Sequence, residues 1–197
     1  MRSSVDGMTR RGLLLIPVPR MALRLVKPVE NAIEDLEYRN GRLSWSGGSA
    51  MAAAGRAGVR ANKTEGDGAT PSGSYPLVFG LYRRDRIEPP PSRLAMRPLA
   101  PNDAWVDDPA DAKYNRLVTL PYPARTEQMW RDDGIYDLVI VIGYNTEPVV
   151  PGAGSAIFLH IARANFSATE GCIAVKKEVL VGLTALLGPG STITIRD

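Results

Sequence analysis

The chain has one cysteine and one histidine, Cys172 and His160, twelve positions apart in a stretch that is otherwise apolar and glycine-rich. A single thiol excludes a disulfide within the chain. Two such ligands also do not fill the tetrahedral shell of an ordinary zinc site, and no cofactor is expected. The thiol is then either an inert core residue or a reactive one. A lone cysteine is most often a small apolar residue and a lone histidine a hydrogen-bonded polar one, so the surroundings must decide. Cys172 closes Thr169-Glu170-Gly171-Cys172, a turn whose glycine permits close backbone approach, and His160 ends an apolar run that reads as a strand. The thiolate is the reactive form of cysteine, and an adjacent imidazole takes its proton near neutral pH. A backbone carbonyl of a neighbouring loop, or a side chain such as Ser155, is expected to orient the ring.

Those two residues need rigid elements to hold them. The run Tyr136 to Tyr144 is β-branched and apolar throughout, as in a central strand buried on both faces, and Ser155 to Ile161 is a second apolar strand carrying His160. Ser74 to Tyr82 alternates Tyr75, Leu77, Phe79 and Leu81, the pattern of a strand with one buried face. Strands are also expected at 22–26, Arg42 to Trp45, Leu117 to Pro121 and Thr192 to Ile195, with Asn40-Gly41 as a tight hairpin turn. Residues 55–73 have loop composition. Thr126 to Asp132 is expected to be a short helix capped by Thr126. Lys176 to Leu187 is expected to be the main helix, with Val179, Leu180, Leu183, Leu186 and Leu187 on one face and Gly188-Pro189-Gly190 as its stop. The Pro89-Pro90-Pro91 run makes Glu88 to Pro98 a stiff loop, a candidate wall or lid over a substrate groove. Together these elements predict a mainly β domain, a sandwich or barrel with one or two peripheral helices.

Composition narrows the class further. With 44% hydrophobic and 23% charged residues, the chain is neither disordered nor a coiled coil, and 197 residues suit one core. A net charge of +3, without a basic block, argues only weakly for attraction to an anionic polymer. No nucleic-acid-binding motif is visible. The apolar run Leu13 to Val18 is broken by Pro17 and is too short for a membrane span; with Arg10 and Arg11 before it, it is also too short for a clear export signal. Residues 1–20 therefore read as a leader of unknown purpose and 21–197 as the functional domain.

The segments Gly154-Ser155-Ala156-Ile157-Phe158-Leu159-His160 and Thr169-Glu170-Gly171-Cys172-Ile173-Ala174-Val175 resemble the active-site signature of the YkuD (ErfK/YbiS) family of L,D-transpeptidases. Lys63-Thr64-Glu65 with Thr70-Pro71-Ser72-Gly73, Tyr82 to Asp85, Trp105 to Pro109, Tyr114-Asn115 and Ile142-Gly143-Tyr144-Asn145 look like one proteobacterial branch of it. The resemblance implies a YkuD-like catalytic fold, with Cys172 as nucleophile, His160 as general base and acid, and backbone amides at Gly171 and Cys172 as oxyanion donors. It also implies Lys63, Tyr144, Asn145, Ser155, Arg163, Thr169 and Glu170 as residues that contact substrate. The implied partners are peptidoglycan stem peptides in the periplasm, with carbapenem-type β-lactams as covalent inhibitors.

Two positions depart from the family pattern. Glu170 stands where many members have histidine, and Ala174 where many have Arg or Asn. An ionised glutamate only accepts hydrogen bonds, and losing the guanidinium removes a bidentate grip on a carboxylate. Arg163, Lys63, Arg83 and Arg84 are the candidates to replace that charge. With the loop as a lid and no terminal grip, the donor bond is expected nearer the start of the stem, at L-alanine, giving 1,3-type crosslinks. The competing readings are an L,D-carboxypeptidase or hydrolase of the same fold and a non-catalytic cell-wall-binding module.

Overall fold

The computed structural model describes residues 34–197; the strand expected at 22–26 and the leader at 1–20 lie outside the described residues. The elements in order are β1 (Leu36–Arg39), β2 (Arg42–Trp45), β3 (Gly48–Ala53), β4 (Val59–Arg60), β5 (Thr70–Pro71), β6 (Gly73–Tyr82), β7 (Met96–Pro98), β8 (Asp103–Val106), β9 (Leu117–Thr119), β10 (Thr126–Gln128), β11 (Leu138–Ile142), β12 (Phe158–Ile161), β13 (Ile173–Val175), α1 (Lys177–Thr184) and β14 (Thr192–Arg196). The main sheet runs β11-β12-β13-β3-β2-β1-β14-β6-β7, and β6 also pairs with β11. That extra pairing closes the sheet into a barrel-like ring and leaves only β7 outside it. Closure removes the exposed edges that an open antiparallel sheet would present. The smaller sheets are β10-β8-β9 and β4-β5. Among the described residues no helix is long and apolar enough to cross a membrane.

Local sequence explains the ring's start and centre. Asn40 and Gly41 both have positive φ, 48° and 75°, as a two-residue hairpin turn demands, and they set Arg39 opposite Arg42. At the centre, all five residues of β11 are buried. Leu138, Ile140 and Ile142 face the larger core, whereas Val139 and Val141 face a second core with Phe158, Trp105, Met129 and Cys172. Its neighbours follow the same alternation: β12 gives Leu159 and Ile161 to the larger core, and β13 gives Ile173 and Val175. The period-2 geometry of a strand then sends Phe158, His160, Cys172 and Ala174 to the opposite side.

The helix α1, the one helix among the described residues, is shorter than the sequence suggests and ends at Thr184. Leu180, Leu183 and Leu187 are buried in the larger core, each contributing on the order of 2 kcal/mol of apolar burial before entropy is counted. Leu186 is 41% exposed, a correction to its expected inward place, because a turn beyond the helix end rotates it outward while Leu187 goes in. The helix expected over Thr126 to Asp132 is instead strand β10. Thr126, Glu127 and Gln128 pair antiparallel with Val106, Trp105 and Ala104, and Met129 is fully buried just beyond. Ladder bonds to β8 outweigh the weak propensity of a one-turn helix whose nucleation is costly.

The proline-rich loop is not a lid. Leu94 is 4% exposed within the larger core, the Arg93 amide donates to the Leu187 carbonyl at 3.1 Å, and β7 pairs in parallel with β6. These contacts anchor 88–98 to the helix end and to β6, and the loop contributes nothing to the lining of the groove at Cys172.

Candidate active site

Strand register brings the thiol and the imidazole together. β12 and β13 run in parallel with His160 opposite Ala174, so Cys172, two residues before Ala174, is the diagonal neighbour of His160 on the same face. Diagonal neighbours in a sheet are roughly 7 Å apart at the backbone, within reach of long side chains. Both line a cavity of about 550 Å³ with Lys63, Glu65, Glu127, Arg131, Tyr136 and Arg163, among others. The β10-β8 pair supplies one wall through Glu127, and the loop between β4 and β5 supplies another through Lys63 and Glu65.

The turn before Cys172 is fixed by its own side chains. Thr169 Oγ1 donates to the Cys172 carbonyl at 2.7 Å and accepts the Gly171 amide at 3.1 Å. Gly171 has φ 140°, and a Cβ there would lie 2.8 Å from the Ala69 carbonyl oxygen, so glycine is required on both counts. Of the two amides expected as oxyanion donors, that of Gly171 is thus already engaged by Thr169. The thiol donates to the Ala156 carbonyl at 3.2 Å, and the Phe158 amide donates to the sulfur at 3.4 Å.

His160 is 3% exposed, and its Nδ1 lies 2.9 Å from the carbonyl oxygen of Ile161. A carbonyl only accepts, so Nδ1 carries the proton and Nε2 has the free lone pair of a base. The backbone carbonyl is therefore the orienting group, and Ser155 is not. Ser155 donates instead to Glu65 Oε2 at 2.7 Å, an oxygen that also accepts the Tyr114 hydroxyl. Burial drives the imidazole down to about 4 and pushes the Cys172 thiol up to about 12, with the Glu127 carboxylate adding to the second shift. At neutral pH the resting pair is thiol and neutral imidazole.

The remaining expected contacts divide in two. Lys63 lines the cavity, 7% exposed, and is paired with Asp67 at 2.8 Å. Burial opposes ionisation of Asp67, yet hydrogen bonds from Lys63, Thr64 and Ala69 hold its carboxyl below the ordinary range. Arg163 lines the cavity and lies 3.8 Å from Asp133. Glu170 stands at the mouth with its side chain 78% exposed, tied to Arg56 at 2.9 Å. Tyr144 and Asn145 do not line the cavity. Asn145 bonds to Val150 and Gly154 and Tyr144 to the Ala153 carbonyl, so both shape the loop that leads to Ser155. Arg83 is buried and held by Asp85 and the Arg131 carbonyl, with its guanidinium 3.5 Å above the Trp130 ring, and neither it nor Arg84 reaches the cavity.

Sequence reasoning assigned no role to Glu65, Asn115, Glu127 or Tyr136. Asn115, at φ 58° and 2% exposed, accepts from Trp105 Nε1 at 2.9 Å and from the Ala156 amide at 3.1 Å, and donates to the carbonyls of Tyr144 and Asn145. It thereby fixes the backbone of Ala156, the residue whose carbonyl accepts from the thiol. Replacing it with alanine strands several buried groups at about 1–3 kcal/mol each, so Asn115→Ala is expected to lose about 3 kcal/mol or more in urea unfolding. A loss below about 1 kcal/mol would show that the hub carries no stability.

A closed, mainly β domain with a buried thiol and imidazole side by side on one groove floor defines the class of this protein as a cysteine-and-histidine groove domain. A model of the YkuD family, the L,D-transpeptidase catalytic domain, matches residues 32–195, and the chain belongs to that family. No curated protein and no solved structure matches the chain.

Proposed function

We propose that the protein is a peptidoglycan L,D-transpeptidase acting through a thioester on Cys172. The observation that carries this is the placement of Cys172 and His160 as same-face neighbours on β12 and β13 in an open cavity. His160 Nε2 takes the thiol proton as sulfur attacks the carbonyl carbon of an L,D-peptide bond in a stem. The carbon–nitrogen bond then breaks, and the imidazolium returns the proton to the leaving amine. An amine of a second stem attacks the thioester, the carbon–sulfur bond breaks, and the crosslink is made. Charge on the carbonyl oxygen falls to the Cys172 amide, since that of Gly171 donates to Thr169.

Ala174 offers no cation after the cysteine and Glu170 is tied to Arg56, so the cation nearest to a stem carboxylate comes from Arg131 or Arg163 at the cavity wall. That arrangement favours a donor bond away from the stem terminus, the L-alanine bond included. A peptidoglycan substrate would put its site of action in the periplasm. Incubation with purified muropeptides, read by mass spectrometry, tests all of this. Crosslinked dimers are expected, whereas shortened stems with a free carboxyl and no dimers would establish a carboxypeptidase instead. Fragmentation of the dimers assigns the donor residue. A carbapenem is expected to add its full mass to Cys172 as the strained ring opens onto sulfur, and an active enzyme without that adduct would exclude an ordinary donor pocket.

A further inference from the structure

The cavity holds a second path for the thiol proton. Tyr136, just before β11, is 4% exposed, and its ring meets the His160 ring edge-on at 5.3 Å. Its hydroxyl donates to Glu127 Oε1 at 2.6 Å, and it packs with Cys172 in one core cluster beside the cavity that both residues line. Sulfur, hydroxyl and carboxylate therefore share one cavity, contributed by the residues before β13, the start of β11 and β10, with the last two already bonded. We propose that Glu127 is a second proton acceptor for Cys172, reached through the Tyr136 hydroxyl, so that the thiol ionises without His160.

The step balances. The thiol proton leaves the Ala156 carbonyl and moves to the Tyr136 oxygen as the Tyr136 proton moves to Glu127; the carboxylate becomes a carboxylic acid, the thiol a thiolate, and tyrosine stays neutral. The Tyr136–Glu127 bond then runs the other way, with Glu127 donating to Tyr136, and Tyr136 donates to sulfur. The negative charge of Glu127, which resists a second charge at Cys172, is the charge that moves there.

The groups around Glu127 suit it to this work. Burial holds its carboxyl above the ordinary range, and Asp107, after β8, and Glu65, between β4 and β5, add to the rise. The hydrogen bond from Tyr136 and the charge of Arg131, after β10, oppose it. A carboxylate raised in this way is a stronger base than a free one and is better matched to a reluctant thiol. Lys63 favours the thiolate from the other side.

This rests on Cys172 as the reactive group, but its test reads the thiol itself and needs no peptidoglycan. The relayed form has the same number of protons as the resting form, so its share stays level with pH above the titration of Glu127. A thiol ionised by solvent alone gains about tenfold in thiolate per pH unit. Alkylation of the His160→Gln protein by iodoacetamide, followed by intact mass from about pH 6 to about pH 9, is therefore expected to climb at the alkaline end, where solvent ionises the thiol, and to flatten onto a floor toward the acid end. With Glu127→Gln or Tyr136→Phe added, the rate is expected to climb about tenfold per pH unit and to start lower. If thermal melting shows that His160→Gln does not fold, His160→Asn takes its place, since its amide stands where Nδ1 donates to Ile161. A rate that keeps falling about tenfold per pH unit down to about pH 6 with His160 alone replaced overturns the relay, as does a floor in either double variant. That floor, alongside inactivity of the unaltered protein on muropeptides, would leave the relay standing and sink the transpeptidase reading.

Discussion

Replacing Cys172 with alanine is expected to bring turnover of muropeptides down to the uncatalysed background, with the urea unfolding midpoint little changed. The side chain is 7% exposed and lies among Phe158, Trp105 and Val139, where a methyl group fits. What is lost structurally is one weak bond from the Phe158 amide and one to the Ala156 carbonyl, about 1 kcal/mol together. What is lost chemically is the only thiol in the chain. No hydroxyl in the cavity replaces it: Ser155 is bound to Glu65, Thr169 is held by the Cys172 carbonyl and the Gly171 amide, and Tyr136 is bound to Glu127. Turnover near that of the unaltered protein would end the thioester mechanism.

The two residues on which that mechanism depends were legible because they are unique and because their strands announce themselves. The unbroken apolar run of β11 and the apolar approach to His160 place both on buried strands, and Gly171 marks the turn. The groups that tune the pair were not legible. Glu127, Tyr136, Asn115 and Glu65 come from separate connections and meet only because the β10-β8-β9 sheet lies against β11 and β12. No local pattern distinguishes Glu127, and its own segment read as a helix because three residues are too few to show strand alternation. Asn115 does its work through an αL backbone and four bonds to remote partners, and spacing encodes none of them. The expected lid failed for a related reason: proline reports stiffness but not direction, and buried Leu94 decides where the loop goes.

Glutamine at His160 is expected to slow turnover by about a hundredfold or more near neutral pH. The amide keeps the approximate size of the ring but binds no proton in this range. The effect should fall unevenly on the two halves of the reaction. Glu127 and Tyr136 still provide for ionisation of the thiol, so alkylation of Cys172 should drop less than turnover does. Glu127 reaches the reaction only through Tyr136 and the sulfur, whereas the imidazole is placed to hand its proton to the leaving group, so departure of the amine bears most of the loss. A turnover unchanged across neutral pH would remove His160 from proton transfer altogether. Its burial also predicts a pH dependence of stability. The imidazole is lowered from 6.5 to about 4 in the folded chain, first by burial. Between those values the unfolded chain takes up a proton that the folded one refuses, so stability falls as pH drops from 6.5 and the loss is complete below about 4. That loss amounts to roughly 3 kcal/mol. His160→Gln should abolish this contribution, so acidification from about pH 7 to about pH 5 should lower the urea midpoint of the unaltered protein more than that of the variant. Equal shifts in the two proteins would show that the neutral, buried imidazole is not what acid disturbs.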